Sequence, residues 1–358
     1  MRTTAFVLVT AMLQVGGLHA QDSQTETTAE EAPLFTSNDP ISFTIRAPFE
    51  TLFKDRSDDA PELPATLLYE GPDGQMVSLD LDVELRGHNR RRKRTCNFPP
   101  LRLDFPKSEM EGTLFTGQNR LKLVTQCQSG RDQYGQYVLL EYLIYRAYNV
   151  LTNVSFKVRL VNITYEDTDG KRDPITQNGF FIEDERRLAE RHGWEALDVP
   201  VLSPEFYDPD QLALTEVFQY MIGHTDWSAF MPEPGSDECC HNGKVIGTLD
   251  GWVYPIPYDF DFAGLINARY AEAAEQLGTR GRVRTRVYRG ICRDRDELMA
   301  TLQTFNLHQQ EIYTLFQEQP DLEEKQIKQA LEYLDDFYET INDEKDLRNK
   351  IERRCREA

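Results

Sequence analysis

Apart from one run near its start, the chain lacks any apolar stretch approaching the roughly 20 residues a membrane-spanning helix needs, so no span is expected in the mature protein. It is also short of base. Against 60 Asp and Glu it carries only 40 Lys and Arg, a formal charge of −20 at pH 7. Such a field repels polyanions, and binding of nucleic acid through the bulk surface is excluded. Histidine is scarce, at 6 residues, and no CxxC pair occurs, which removes zinc-finger spacing. No internal repeat is visible. What remains is a globular composition, 40% hydrophobic and 11% aromatic over 358 residues. That suffices for one large domain or two closely packed lobes.

The apolar run itself is informative. Arg2 precedes Ala5 to Val15, and the small residues Gly16, Gly17 and Ala20 follow. This is the order of a secretory signal peptide over residues 1–20, with cleavage expected before Gln21; a retained anchor is the alternative. Residues 21–40, rich in Thr, Glu, Ser and Gln, read as a disordered acidic leader. A secreted or periplasmic location follows. An exported chain normally oxidises its thiols, and six cysteines allow fifteen pairings. Cys96 and Cys127, at the ends of strand-like segments, are expected to pair. The neighbours Cys239 and Cys240 are expected to reach Cys292 and Cys355 rather than each other. Free or metal-bound thiols are the other possibility.

Residues 41–358 divide by pattern. Ile41 to Ile45, Ala65 to Tyr69, Val77 to Leu85, Leu101 to Phe105 and Arg120 to Val124 alternate apolar with polar residues, as half-buried strands do. Tyr134 to Asn149 has helical spacing, and Phe156 to Tyr165 and Gly179 to Glu183 are strand-like again. Later come a capped helix from Asp210 to Ile222 and a hairpin around Asp250-Gly251. Two long amphipathic helices follow, over Arg295 to Phe316 and Leu322 to Arg354. The expected fold is α+β and two-lobed, with a β-rich N-terminal lobe over about 41–200 and an α-rich C-terminal lobe over about 201–358.

The chemistry concentrates between His224 and Gly264. His224-Thr225-Asp226-Trp227 is followed by His241-Asn242-Gly243 and then by Pro257-Tyr258-Asp259-Phe260-Asp261. Phosphoryl transfer needs a carboxylate near the acceptor hydroxyl and oxygen ligands that hold a divalent ion against the phosphates. The hairpin between the second and third segments would return the last group to the first two. All-oxygen ligation suits magnesium, manganese or calcium rather than zinc. Singly, each residue has a plainer role: Asp226 as a cap, Asp259 or Asp261 as a turn former, His224 as a packed side chain. The basic run Arg90 to Arg94 would either attract phosphate or form a solvated loop. Asn153-Val-Ser and Asn162-Ile-Thr match the glycosylation pattern.

The ordered segments RGHNRRRKRTCNFPPLRLDF, NRLKLVTQC, GFFIEDE, HTDW, HNGK and IPYDFDFAG resemble the CotH-like atypical kinases of the spore-coat type, over roughly Val83 to Gly264. The resemblance implies a kinase-like fold, ATP with a divalent metal, and transfer of phosphate to protein Ser or Thr. Carried over, Asp226 would be the catalytic Asp and Asp259 the principal metal ligand, supported by Asn242 and Asp261. Lys122 would contact phosphate, Glu183 would orient nucleotide or metal, and Arg86 and Arg102 would meet phosphate oxygens. One departure stands out: in ordinary kinases the Asn follows the Asp by about five positions, and here an insertion holding Cys239 and Cys240 intervenes. Two other readings compete: a binding protein that keeps the fold without catalysis and recognises an envelope or coat component, and a metal-dependent hydrolase.

Intact mass tests the compartment directly. The isolated protein should begin near Gln21 and take up no alkylating reagent until it is reduced; six alkylated cysteines without reduction would contradict export into an oxidising compartment.

Overall fold

The computed structural model describes residues 32–357 except 88, 107–109, 233–234, 249 and 274–276. The expected signal peptide and the leader up to residue 31 lie outside the described residues. From there the alternating segments form strands: β1 (Ile41–Ala47), β2 (Leu63–Glu70), β3 (Met76–Leu85), β4 (Leu101–Asp104), β5 (Arg120–Val124), β6 (Val158–Asp167) and β7 (Ile175–Ile182). They close into a barrel in the order β1-β2-β3-β4-β5-β7-β6. In β3 the period-2 pattern sends Leu79, Leu81, Val83 and Leu85 inward and Asp80 and Asp82 to solvent, as a strand with one buried face requires. Neighbours pair antiparallel except at the seam. There β1 runs parallel to β6, from Ile41 opposite Val161 to Ala47 opposite Asp167. The interior is aromatic as well as aliphatic. Phe181 stacks on Phe43 at 5.4 Å and meets Phe115 edge-on.

A second core lies outside the barrel. The short helix α1 (Phe49–Leu52) follows β1, whereas α2 (Asp132–Leu151) is buried along nearly its whole length. It is enclosed by the outer side of β6 and β7 and by the later helices α4 (Pro209–Ile222), α5 (Arg295–Gln317) and α6 (Glu324–Asn342). α3 (Glu185–Glu190) follows β7. A small sheet of β8 (Glu195–Ala196), β9 (Gly243–Gly247) and β10 (Val253–Pro257) has the order β10-β9-β8. Among the described residues, no helix is long and apolar enough to cross a membrane.

Several expectations need correction. The two-lobed kinase-like fold, with an α-rich lobe over 201–358, does not form. The strands of the first half close on themselves around their own interior, because parallel pairing of β1 with β6 satisfies both edges of the sheet. Nor do the helices of the second half make a separate lobe. They share a continuous core with α2 of the first half, in which Tyr148 packs on Phe218 at 4.5 Å. The leader is not disordered to residue 40: Leu34 and Phe35 are buried against the barrel, and Arg159 donates to the Leu34 carbonyl at 3.3 Å. The helix expected over 322–354 breaks at Asp343. That residue is extended and its carboxylate caps the amide of Asp346, starting α7 (Glu344–Leu347).

All six cysteines are bonded, as Cys96–Cys127, Cys239–Cys240 and Cys292–Cys355. The first pair is as expected. The adjacent cysteines pair with each other across a cis peptide, with Cα atoms 3.0 Å apart, and so do not reach Cys292 or Cys355. Those two pair together and tie the segment before α5 to the C-terminus.

Barrel closure predicts a stability effect at its centre. Phe181→Ala removes a ring with no solvent exposure and should lower unfolding free energy by about 3–5 kcal/mol in urea titration. A loss under about 1 kcal/mol would mean that the interior does not close around this ring.

Candidate functional site

The loop bearing Asp226 is fixed at both ends. α4 stops at Gly223, in the left-handed region at φ 65°, and a Cβ there would fall 1.9 Å from the Tyr333 hydroxyl of α6. Glycine is required on both counts. His224 is buried with Nδ1 3.0 Å from Gln219 Oε1. Burial pushes its pKa down to about 4, so it is a neutral strut of the loop. Arg289 donates to the carbonyls of Thr225 and Trp227. Between these clamps the Asp226 carboxylate stays 43% exposed, with His241 Nε2 2.8 Å from Oδ1. Burial would raise its pKa, but the His241 hydrogen bond and the positive charge of Arg289 outweigh it and hold the group below its ordinary value. Asp226 is therefore an ionised carboxylate at neutral pH.

The hairpin does what its place in the sequence suggests. Register between β9 and β10 sets Gly243 opposite Pro257, so the Asn242 and Asp259 flanks emerge together. Tyr258 N–H donates to the Asn242 carbonyl at 3.2 Å. Asn242, at φ 48°, donates from its side chain to the Asp226 carbonyl at 2.6 Å and to Oδ2 at 3.3 Å. Asp259, at φ 58°, donates its amide to the Tyr145 hydroxyl of α2 at 2.9 Å. Aspartate and asparagine tolerate this backbone region better than most side chains.

The facing wall comes from the outer surface of the barrel. Cross-strand register aligns Glu84 with Arg102 and Arg102 with Lys122, and Arg102 donates to Glu84 at 2.7 Å. Lys122 lies 5.2 Å from the centre of the Tyr258 ring and 3.7 Å from Glu185, which is itself 3.5 Å from Lys244. Burial pushes the Lys122 pKa down to about 8, reinforced by Arg86 and Lys244 and opposed by Glu185. Arg86 Nη1 is buried and, among the described residues, has no hydrogen-bond partner. The two walls enclose a cleft of about 710 Å³ lined by Arg86, Arg102, Lys122, Asp226, Asn242, Asp259 and Asp261.

Within the cleft, Arg90 is the hub. Its guanidinium lies 3.2 Å from Glu141 Oε2, 2.6 Å from Asp259 Oδ1 and 3.3 Å from Asp261 Oδ2. Asp261 is buried, and burial raises its pKa although Arg90 opposes the shift. Among the described residues, no group of three or more His, Cys, Asp or Glu is arranged to hold a metal ion by itself. Magnesium is commonly held by one or two carboxylates, with phosphate oxygens and water completing its shell. Asp226 and Asp259, both partly exposed, fit that requirement. Asp261, buried as well as paired to Arg90, fits it poorly.

Glu183 does not reach the cleft. It accepts from Arg191 at 3.1 Å and from the Lys157 amide at 3.0 Å, and Glu185 at the start of α3 faces Lys122 in its place. Sequence reasoning gave no role to Glu141, His241 or Lys244 and did not foresee Arg90 as an ion-pair centre. Two signals pointed toward them: a lone acid in the apolar run of α2, and a His beside Asn242. Neither a family model nor a curated protein matches the chain.

The position of Lys122 yields a pH dependence. It is charged below about pH 8 and neutral above, so affinity of the cleft for inorganic pyrophosphate should fall roughly tenfold from pH 7 to 9. Calorimetric titration of the parent and Lys122→Arg checks this; an equal fall in the variant would assign the titration to another group.

Proposed function

We propose that the cleft transfers a phosphoryl group from ATP, with magnesium or a similar divalent ion, to a Ser or Thr hydroxyl of a protein, the activity of CotH-type kinases, in a secreted or periplasmic setting. One observation carries the reading: Asp226, Asn242, Asp259 and Lys122, singled out in the sequence through the family resemblance, line a single cleft. Their environments suit separate tasks. Asp226, ionised and held by His241, would accept the proton of the attacking hydroxyl. Asn242 fixes the Asp226 side chain and carbonyl. Lys122 and Arg86 supply buried positive charge for phosphate oxygens. Asp259 offers a carboxylate where a phosphate-bound cation would sit. The divalent ion, when bound, supplies charge neutralisation of the β- and γ-phosphate oxygens.

A second reading is favoured by one contact. Arg90 already engages Asp259, as it would in a protein that binds its ligand in this cleft without turning it over.

Labelled ATP, a panel of divalent metals and a mixed protein substrate separate the two. Asp226→Ala should lower transfer by at least about a hundredfold while nucleotide binding stays within a few-fold of the parent. Asp259→Ala should weaken both. Nucleotide binding without transfer under any metal would favour the second reading, and no nucleotide binding at all would remove the first.

A further inference from the structure

The cleft already contains a cation of the protein's own. Arg90 meets carboxylates from α2 and from the turn after β10, and its side chain and those of Glu141 and Asp261 are only 8%, 3% and 8% exposed. Three converging carboxylates, two of them almost fully buried, require a neutralising partner. A divalent ion usually serves where hard oxygen ligands converge. Here a guanidinium does so. Its planar fork can donate to several acceptors at once; it hydrogen-bonds one oxygen of Glu141 and one of Asp259, and pairs with Asp261 at 3.3 Å. Glu141 Oε1 is left buried and, among the described residues, without a hydrogen-bond partner. The cluster thus has more acceptor capacity than one guanidinium uses.

We propose that Arg90 is a resident cation, occupying the seat that a divalent ion would otherwise take among Glu141, Asp259 and Asp261. Arg90 is then a positioning residue. It sets the Asp259 turn before any ligand arrives, and it assigns Asp261 to that turn rather than to a metal. A consequence, which rests on the phosphoryl-transfer reading, is that the cleft recruits its divalent ion through Asp226 and Asp259 without Asp261.

Counting Mn²⁺ by electron paramagnetic resonance on the mature protein, without nucleotide, tests this. Arg90→Ala should bind one more Mn²⁺ per chain than the parent, and adding Asp261→Asn should remove that ion. Mn²⁺ should also raise the unfolding temperature of Arg90→Ala more than that of the parent. A folded Arg90→Ala protein with no additional Mn²⁺ overturns the proposal. If that variant does not fold, Asp261→Asn in the parent decides: an unchanged Mn²⁺ count supports the resident cation, and loss of an ion overturns it. Neither readout uses ATP or transfer, so failure of the kinase reading and failure of this one are told apart.

Discussion

The ion pairs of Arg90 bring three parts of the chain to one point: the segment after β3, the middle of α2, and the turn that follows β10. Removing one partner from such a buried set leaves an uncompensated charge, which is far more costly than the net worth of the pair. The cluster therefore acts as a constraint on geometry more than as a source of stability. It makes the barrel wall and the hairpin wall of the cleft answer to each other.

Barrel closure gives that constraint something rigid to act on. An open sheet would leave β1 and β6 as free edges and let β4 and β5 flex relative to β7. Closing the sheet fixes the outward row of Glu84, Arg102 and Lys122, so their charges face the hairpin at a set distance. On the other side, α2 is buried between barrel and helices, and its inward tyrosines bear on the site: Tyr145 receives the Asp259 amide. One helix thus serves as core and as scaffold for the chemistry.

What could be read from the sequence follows from range. Strands such as β3 and β5 were legible because burial of one face writes a period of two into the chain. The convergence of Asp226, Asn242 and Asp259 was legible because a hairpin is a local device whose register needs only its own turn. The barrel was not, because its seam pairs residues about a third of the chain apart, and strand periodicity carries no information about partners. Arg90 was hidden for a related reason. Inside a basic run it looks like a solvated charge, and only the distant carboxylates of Glu141, Asp259 and Asp261 distinguish it from its neighbours. Glu183 and Glu185 are two positions apart, one just past β7 and the other opening α3, and that boundary decides which of them faces Lys122.

Gly223 has a wider consequence. The residue that ends α4 and launches the Asp226 loop has no room for a side chain because Tyr333 of α6 lies against it. Arg289, which clasps the same loop from behind, stands just ahead of the disulfide that secures the C-terminus. The motif-bearing stretch is thus the visible part of a site whose frame lies downstream of it. A fragment trimmed to the recognisable motifs would keep every candidate catalytic side chain and lose the mould that gives Asp226 its position. Swapping motifs between related chains would carry the reactive groups without their support, unless the C-terminal helices travelled with them.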